Sequence, residues 1–304
     1  MTRLTELADK IRGPIAYPTT PYVESGGRLD VDEKVYRRQI RHLIDGGIKV
    51  ITPCGGTGEF FSLSWADWQQ LVSVAADEAK GSQTLIMPSI GGGCEQALVM
   101  AAHAASLGCL IAQLTLVDPM FGMTEEGVYE YNATIARQSP IAIMAYKTKT
   151  TPLSVDLAER ICALDNVPVF KDEAGDVVWF QDFMTRTNGT IVGVCGGGEE
   201  LAPYYMLAGA QAFTTGVANL VPQLVARFYE EAARANWREV FSILNQVRPL
   251  GALRSRPGRM IPVIKEGYAL LGIGKNSLVR PPVLPLSEDE KNDVRDALTQ
   301  LGVL

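Results

Sequence analysis

The stretch KVITPCGGTGEFFSLSWADWQQLVSVAADEAKGSQTLIMPS, Lys49–Ser89, decides the fold. A short apolar run, KVITPC, ends in a loop rich in glycine and hydroxyls. A segment of helical periodicity follows, and a second short apolar run, TLIMPS, comes after it. Ser64 followed by Asp67 resembles a capping box at the helix start. Strand, loop, helix and strand in that order make the repeating unit of a parallel sheet. The pattern recurs on both sides. The runs GPIAYP, LIAQLTL, IAIMAY, VPVFK, TIVGVC and AQAFTTG join the first two. Between runs lie helical patterns such as DEKVYRRQIRHLIDGG, closed by Gly46 and Gly47, and CEQALVMAAHAASLG.

Eight strand-like runs separated by helical patterns predict an α/β fold, the (β/α)8 TIM barrel. A doubly wound open sheet usually needs fewer strands and carries a glycine fingerprint after the first. Beyond the eighth run only helical patterns remain: PQLVARFYEEAARA, WREVFSILNQVRPLGAL, RMIPVIKEGYALLG and SEDEKNDVRDALTQLG, with VRPPVLP as an extended connector. The expected organisation is a barrel over residues 1–220 and a C-terminal helical extension over 221–304, packed on the barrel.

The 304 residues are 47% hydrophobic and 20% charged, enough apolar content for a large core and too little charge for a disordered chain. A net charge of -6, without a basic run, excludes nucleic acid and anionic membranes as electrostatic partners. The opening MTRLTELADKIRGP reads as neither a secretory signal nor a transit peptide, and CLIAQLTLV is far short of a membrane span. Cys54, Cys94, Cys109, Cys162 and Cys195 are odd in number and lack CxxC spacing. They read as reduced thiols in a cytoplasmic protein, and with only His42 and His103 in the chain no metal site is expected.

In such a barrel chemistry sits where strands end and βα loops begin. The ends read Cys54–Phe61 (CGGTGEFF), Ser89–Gly93 (SIGGG), Tyr146, Lys171, Cys195–Glu200 (CGGGEE) and Thr214–Asn219 (TTGVAN). Gly56, Thr57 and Gly58 suit a carboxylate, since glycine turns backbone N–H groups toward an anion and Thr57 adds a hydroxyl donor. The alternative is a tight βα turn without a ligand. Lys171 ends a strand, where desolvation supplies a neutral, nucleophilic amine suited to imine formation. The alternative is a solvated lysine paired with Asp172 or Glu173. Tyr146 is either a core aromatic with a wet hydroxyl or, beside Lys171 on the neighbouring strand, a proton shuttle. No GxGxxG follows a strand, and GIGKNS lacks P-loop spacing, so no nucleotide cofactor is expected.

GGTGEFFSL, the strand-five Tyr146 and FKDEAGD together resemble the dihydrodipicolinate synthase / N-acetylneuraminate lyase family over almost the whole length. The resemblance implies a cofactor-free, metal-independent class I lyase acting on a small 2-oxo acid. Lys171 would be the Schiff-base lysine and Tyr146 the proton shuttle. Thr57, with the amides around Gly56 and Gly58, would hold the carboxylate, and Gly197 and Thr215 would line the mouth. It also implies a homo-oligomer, a dimer or tetramer. Within the family, Gly56 stands where dihydrodipicolinate synthases carry a second threonine. The strand-four loop VDPMFGMTEEG has Met120 and Phe121 but no tyrosine, and no arginine follows Tyr146. GGTGEFFSL and VRPP look more like 5-dehydro-4-deoxyglucarate dehydratase, a remover of water and carbon dioxide from a sugar diacid. There Lys147 or Lys149 would bind a distal carboxylate, unless each is a solvated loop charge. The alternatives are synthase-type condensation, cleavage of a 2-keto-3-deoxy sugar acid, and a barrel that binds a sugar acid or oxo acid without turning it over.

Overall fold

Ser64 and Asp67 close their capping box on both sides. The Asp67 N–H donates to Ser64 Oγ at 3.1 Å, and the Ser64 N–H donates to Asp67 Oδ2 at 3.0 Å. In the computed structural model, which describes residues 3–115 and 122–304, this box starts the third of twelve helices found among those residues. The chain opens with α1 (Arg3–Lys10), β1 (Gly13–Ala16) and the strands β2 (Tyr22–Ser25) and β3 (Arg28–Val31). Next come α2 (Glu33–Asp45), β4 (Val50–Ile51), α3 (Trp65–Glu78), β5 (Leu85–Ile86), β6 (Ser89–Gly91) and α4 (Cys94–Ser106). The pattern continues through β7 (Ile111–Thr115), α5 (Glu125–Gln138), β8 (Ala142–Lys147), α6 (Val155–Cys162), β9 (Val169–Asp172) and α7 (Val177–Thr187). It ends with β10 (Val192–Cys195), α8 (Gly198–Leu207), β11 (Ala212–Thr215) and the helices α9 (Pro222–Ala233), α10 (Trp237–Arg254), α11 (Met260–Leu270) and α12 (Glu288–Gln300).

β5 and β6 are two pieces of one strand, parted at Met87-Pro88 because proline brings no N–H to a ladder. Counting them once, and setting the β2–β3 hairpin aside, leaves eight strand positions and then helices only. That is the chain order of a (β/α)8 barrel with a C-terminal helical extension. The hairpin was not anticipated from sequence. Its strands are short and largely exposed, and Gly26 and Gly27, both at positive φ, form its two-residue turn.

The residues gather into two compact units. The first holds Leu85–Thr214 with the chain's beginning up to Ile15. Its strands pair in the order β1-β11-β10-β9-β8-β7-β6, and the pairs from β11 to β6 are parallel. Side chains alternate between the two faces of a strand. On β9, Phe170 faces the helices and packs on Phe183 (4.7 Å between ring centroids) and Trp179 (5.9 Å) of α7. Lys171 therefore takes the opposite face.

The second unit holds Ala16–Thr84 and Thr215–Leu304. Here α2 packs on α3, tied by Arg37 to Asp77 (2.8 Å) and Glu78 (2.9 Å), and α9 to α12 pack on one another in turn. Gly46 ends α2 where a Cβ would come within 2.3 Å of Pro222, the first residue of α9. Only glycine allows that approach.

Candidate active site

Lys171 is buried, 4% exposed, and stands in register with Tyr146 on β8 and Val194 on β10. Equal register on adjacent parallel strands puts Lys171 and Tyr146 on one face, and the ammonium lies 4.0 Å from the Tyr146 ring centroid. The Tyr146 hydroxyl donates to Glu173 Oε2, and the same carboxylate lies 3.1 Å from Lys171 Nζ. Gln113 of β7 accepts from Lys171 Nζ at 3.4 Å, while its amide nitrogen donates to Ser89 Oγ at 3.1 Å. Ser89, Gln113, Lys171, Glu173 and Tyr146 thus form one hydrogen-bonded chain across four strands. Of the two readings of Lys171, the solvated one fails: its carboxylate partner is Glu173, but the amine itself is buried.

Sequence reasoning missed Gln113 and Gly196, and it named Glu173 only as an ion-pair partner for a solvated Lys171. A Cβ on Gly196 would fall 2.9 Å from Lys171 Cε and 2.7 Å from Glu173 Cβ, so this glycine makes room for both side chains. The signal for it was the run of three glycines after strand seven. Gly197, the member of that run expected at the mouth, has its Cβ position filled by Leu201 Cδ1 at 2.4 Å. The signal for Glu173 was its position two residues beyond Lys171.

Lys147 departs from both sequence readings. It is neither a solvated loop charge nor on the Tyr146 face where it could bind a distal carboxylate, since period-two alternation turns it to the helix-covered face. There it lies 3.5 Å from Asp172 and 4.0 Å over the Trp179 ring. Tyr205 of α8 donates to the same Asp172 at 2.5 Å, and burial together with this carboxylate pushes its phenol pKa up. Asp172 is thereby occupied away from Lys171. Lys149 sits in an exposed turn after β8.

In the second unit, Gly56 is open to solvent and Thr57 is nearly buried, its hydroxyl 3.7 Å from Met260 Sδ. Gly58 is packed so closely that a Cβ would meet the Pro18 carbonyl at 3.1 Å and Cys54 at 3.2 Å. Two non-glycine residues of this loop, Cys54 (φ 59) and Glu59 (φ 64), are left-handed, a strain that surrounding contacts must hold. The holding contact is an ion pair between fully buried Glu59 and Lys265 of α11. Lys265 also donates to the Leu278 carbonyl at 2.8 Å and lies 4.1 Å from the Tyr22 ring centroid, which Arg280 approaches as well. Burial pushes the Lys265 pKa down to about 8, against the opposing pull of Glu59. Thr215 accepts from the Ala218 N–H at 3.0 Å, capping the turn after β11.

Burial raises the thiols of Cys54, Cys109 (about 11), Cys162 and Cys195 (about 12), which makes them poor nucleophiles. Among the described residues no group of three His, Cys, Asp or Glu side chains is placed to hold a metal ion, and no helix is long and apolar enough to cross a membrane. Met120 and Phe121 lie outside the described residues.

Comparison with known proteins agrees with this architecture. The model of the dihydrodipicolinate synthetase family matches residues 10–301. The chain is 26% identical over 300 residues to the probable 5-dehydro-4-deoxyglucarate dehydratase of Bacillus licheniformis, covering 97% of this chain and 96% of that one. Dihydrodipicolinate synthase from Oceanobacillus iheyensis superposes with a TM-score of 0.91 at 24% identity, covering 99% of this chain and all of that one. The Bacillus clausii enzyme of the same description gives 0.90 at 27%, covering 97% and 99%. Fold and relatives together define a (β/α)8-barrel lyase with a C-terminal helical extension. More particularly, the chain belongs to the dihydrodipicolinate synthetase family.

Proposed function

We propose that this protein is a class I, Schiff-base-forming lyase for a small 2-oxo acid, and that it dehydrates and decarboxylates a sugar diacid of the 5-dehydro-4-deoxyglucarate kind. The observation that carries the reading is Lys171, a buried amine with its nitrogen against the ring of Tyr146 and its proton partners within reach. In this reading Nζ attacks the ketone carbon and water leaves. The resulting protonated imine is an electron sink that acidifies the neighbouring C–H. Tyr146 in its phenolate form takes that proton and, as the phenol, returns it to the departing β-hydroxyl. Loss of carbon dioxide then draws on the same sink. Gly56, Thr57 and Gly58 are assigned to carboxylate binding, Gly197 and Thr215 to weaker substrate contacts, and Lys149 to a distal carboxylate. The choice of dehydration rests on the name of the Bacillus licheniformis relative. It also rests on Gly56 and on the lack of tyrosine in the loop sequence VDPMFGMTEEG.

Glu173 favours a second reading. A carboxylate beside the reacting amine repels a second substrate carboxylate, so a 2-keto-3-deoxy sugar acid that carries hydroxyls at its far end also suits the site. Both readings share the imine, so one experiment tests the chemistry and another the substrate. Sodium borohydride with pyruvate should attach the reduced adduct to Lys171, and Lys171→Met should abolish both labelling and turnover. Full turnover by Lys171→Met on any substrate overturns the mechanism. A panel of sugar acids, followed for release of 2-oxoglutarate semialdehyde or of pyruvate, separates dehydration from aldol cleavage.

A further inference from the structure

We propose that Glu173 is a catalytic residue in its own right, the carboxylate that carries protons between the Lys171 nitrogen and the Tyr146 phenol. This rests on the reading of Lys171 as the imine-forming amine, and it adds a group that the reading does not require. One oxygen, Oε2, meets both partners: it lies 3.1 Å from Lys171 Nζ and accepts the Tyr146 O–H. As an ammonium, the form that the Glu173 carboxylate 3.1 Å away favours, Lys171 has no lone pair to attack a ketone. Some group must take the proton first. Gln113 accepts a hydrogen bond from Nζ, but an amide oxygen does not hold a proton at neutral pH. Asp172 is turned to the other face, where Lys147 and Tyr205 engage it. Glu173 touches the nitrogen, and its side chain is 43% exposed, open to a ligand and to proton exchange with water.

The local backbone is arranged to seat this side chain. The Glu173 N–H donates to the Lys147 carbonyl at 2.9 Å, continuing the β9–β8 ladder one residue past the strand. Gly196 leaves the space that Glu173 Cβ enters.

The proton count closes. Lys171–NH3⁺ gives a proton to the Glu173 carboxylate, leaving a neutral amine and a carboxylic acid. The N–C bond forms as the carbonyl π pair moves to oxygen, which takes the Tyr146 proton, and Tyr146 is refilled from Glu173. The nitrogen, now carrying two protons and a positive charge, gives one to Glu173. That proton travels through Tyr146 to the hydroxyl, the C–O bond breaks and water departs as the nitrogen pair forms the protonated imine. Ketone and ammonium have become iminium and water, and Glu173 is a carboxylate again.

The test uses the full-length protein with pyruvate, quenched with borohydride at increasing times, in wild type, Glu173→Gln and Glu173→Ala. Glutamine still accepts from Tyr146 but cannot take a proton. Its rate of imine formation should fall by about 10²- to 10⁴-fold, the usual worth of a positioned acid–base group, with an unchanged melting temperature. Added formate should restore part of the rate to Glu173→Ala. A Glu173→Gln rate equal to wild type overturns the proposal and leaves the Lys171 reading intact. Slow variants with no response to formate reduce Glu173 to a positioning residue and also overturn it. If wild-type protein is not trapped at all, the reading of Lys171 falls first and this inference with it.

Discussion

At position 196 the backbone comes so close to the Lys171 side chain that a single methyl group is too much. Gly196→Ala would press Cβ against Lys171 Cε and Glu173 Cβ, both under 3.0 Å, and neither can retreat without leaving its partners. Misplacing a reacting group by about 1 Å can lower a rate on the order of 10²-fold. The expected outcome is a loss of pyruvate trapping of that order, measured against wild type at matched folding by circular dichroism. Trapping at the wild-type rate would show that the side chains do not depend on this space. CGGGEE announced a crowded turn, but not which of its glycines faces the lysine. That depends on the β9–β10 register, a non-local fact, whereas Lys171 and Tyr146 could be picked out as polar residues ending apolar runs.

The loop that links β9 to α7 has its own logic at the level of the element. Gly175 takes positive φ (85), and Asp176 then caps α7 by accepting from the Trp179 N–H at 3.0 Å. The Gly-Asp that ends FKDEAGD is therefore helix-start chemistry, and its role does not require a ligand. Asp176→Ala should lower stability by about 1 kcal/mol and Asp176→Asn by much less, read from urea denaturation midpoints. An equal loss in both would point to charge instead of capping. Helix starts were legible because caps are local: the box read at Ser64 forms with Asp67, and the structure adds a second of the same kind at Ser287 with Glu290. The β2–β3 hairpin was not, since its strands are too polar and too short to show a buried face. Lys147 was misread for a different reason. Alternation along β8 was available in the sequence, but the helix-side partners that make its burial tolerable, Asp172 and Trp179, come from another strand and helix.

On the scale of the whole molecule, the loop of Gly56, Thr57 and Gly58 depends on a residue from the far end of the chain. Lys265 holds Glu59 where both are buried. Lys265→Met would leave an uncompensated carboxylate in the interior, a change that typically costs about 3–5 kcal/mol. Glu59→Gln with Lys265→Met should recover much of that loss, since a neutral pair needs no counter-charge. Denaturation midpoints of the two variants measure this. If the double variant is no better than the single, the ion pair is not what holds the loop.

Sequence by itself determined the eight-strand α/β order, the helical extension, and the amine and phenol next to the ends of strands six and five. Each of these is written in short-range periodicity or in the residue that interrupts it. Tertiary structure alone decided that Glu173 bridges that amine and phenol, that Asp172 and Lys147 satisfy each other on the opposite face, and that Glu59 finds Lys265. Pairing among buried charges is set by strand register and by which chain segments meet, and no local pattern encodes either.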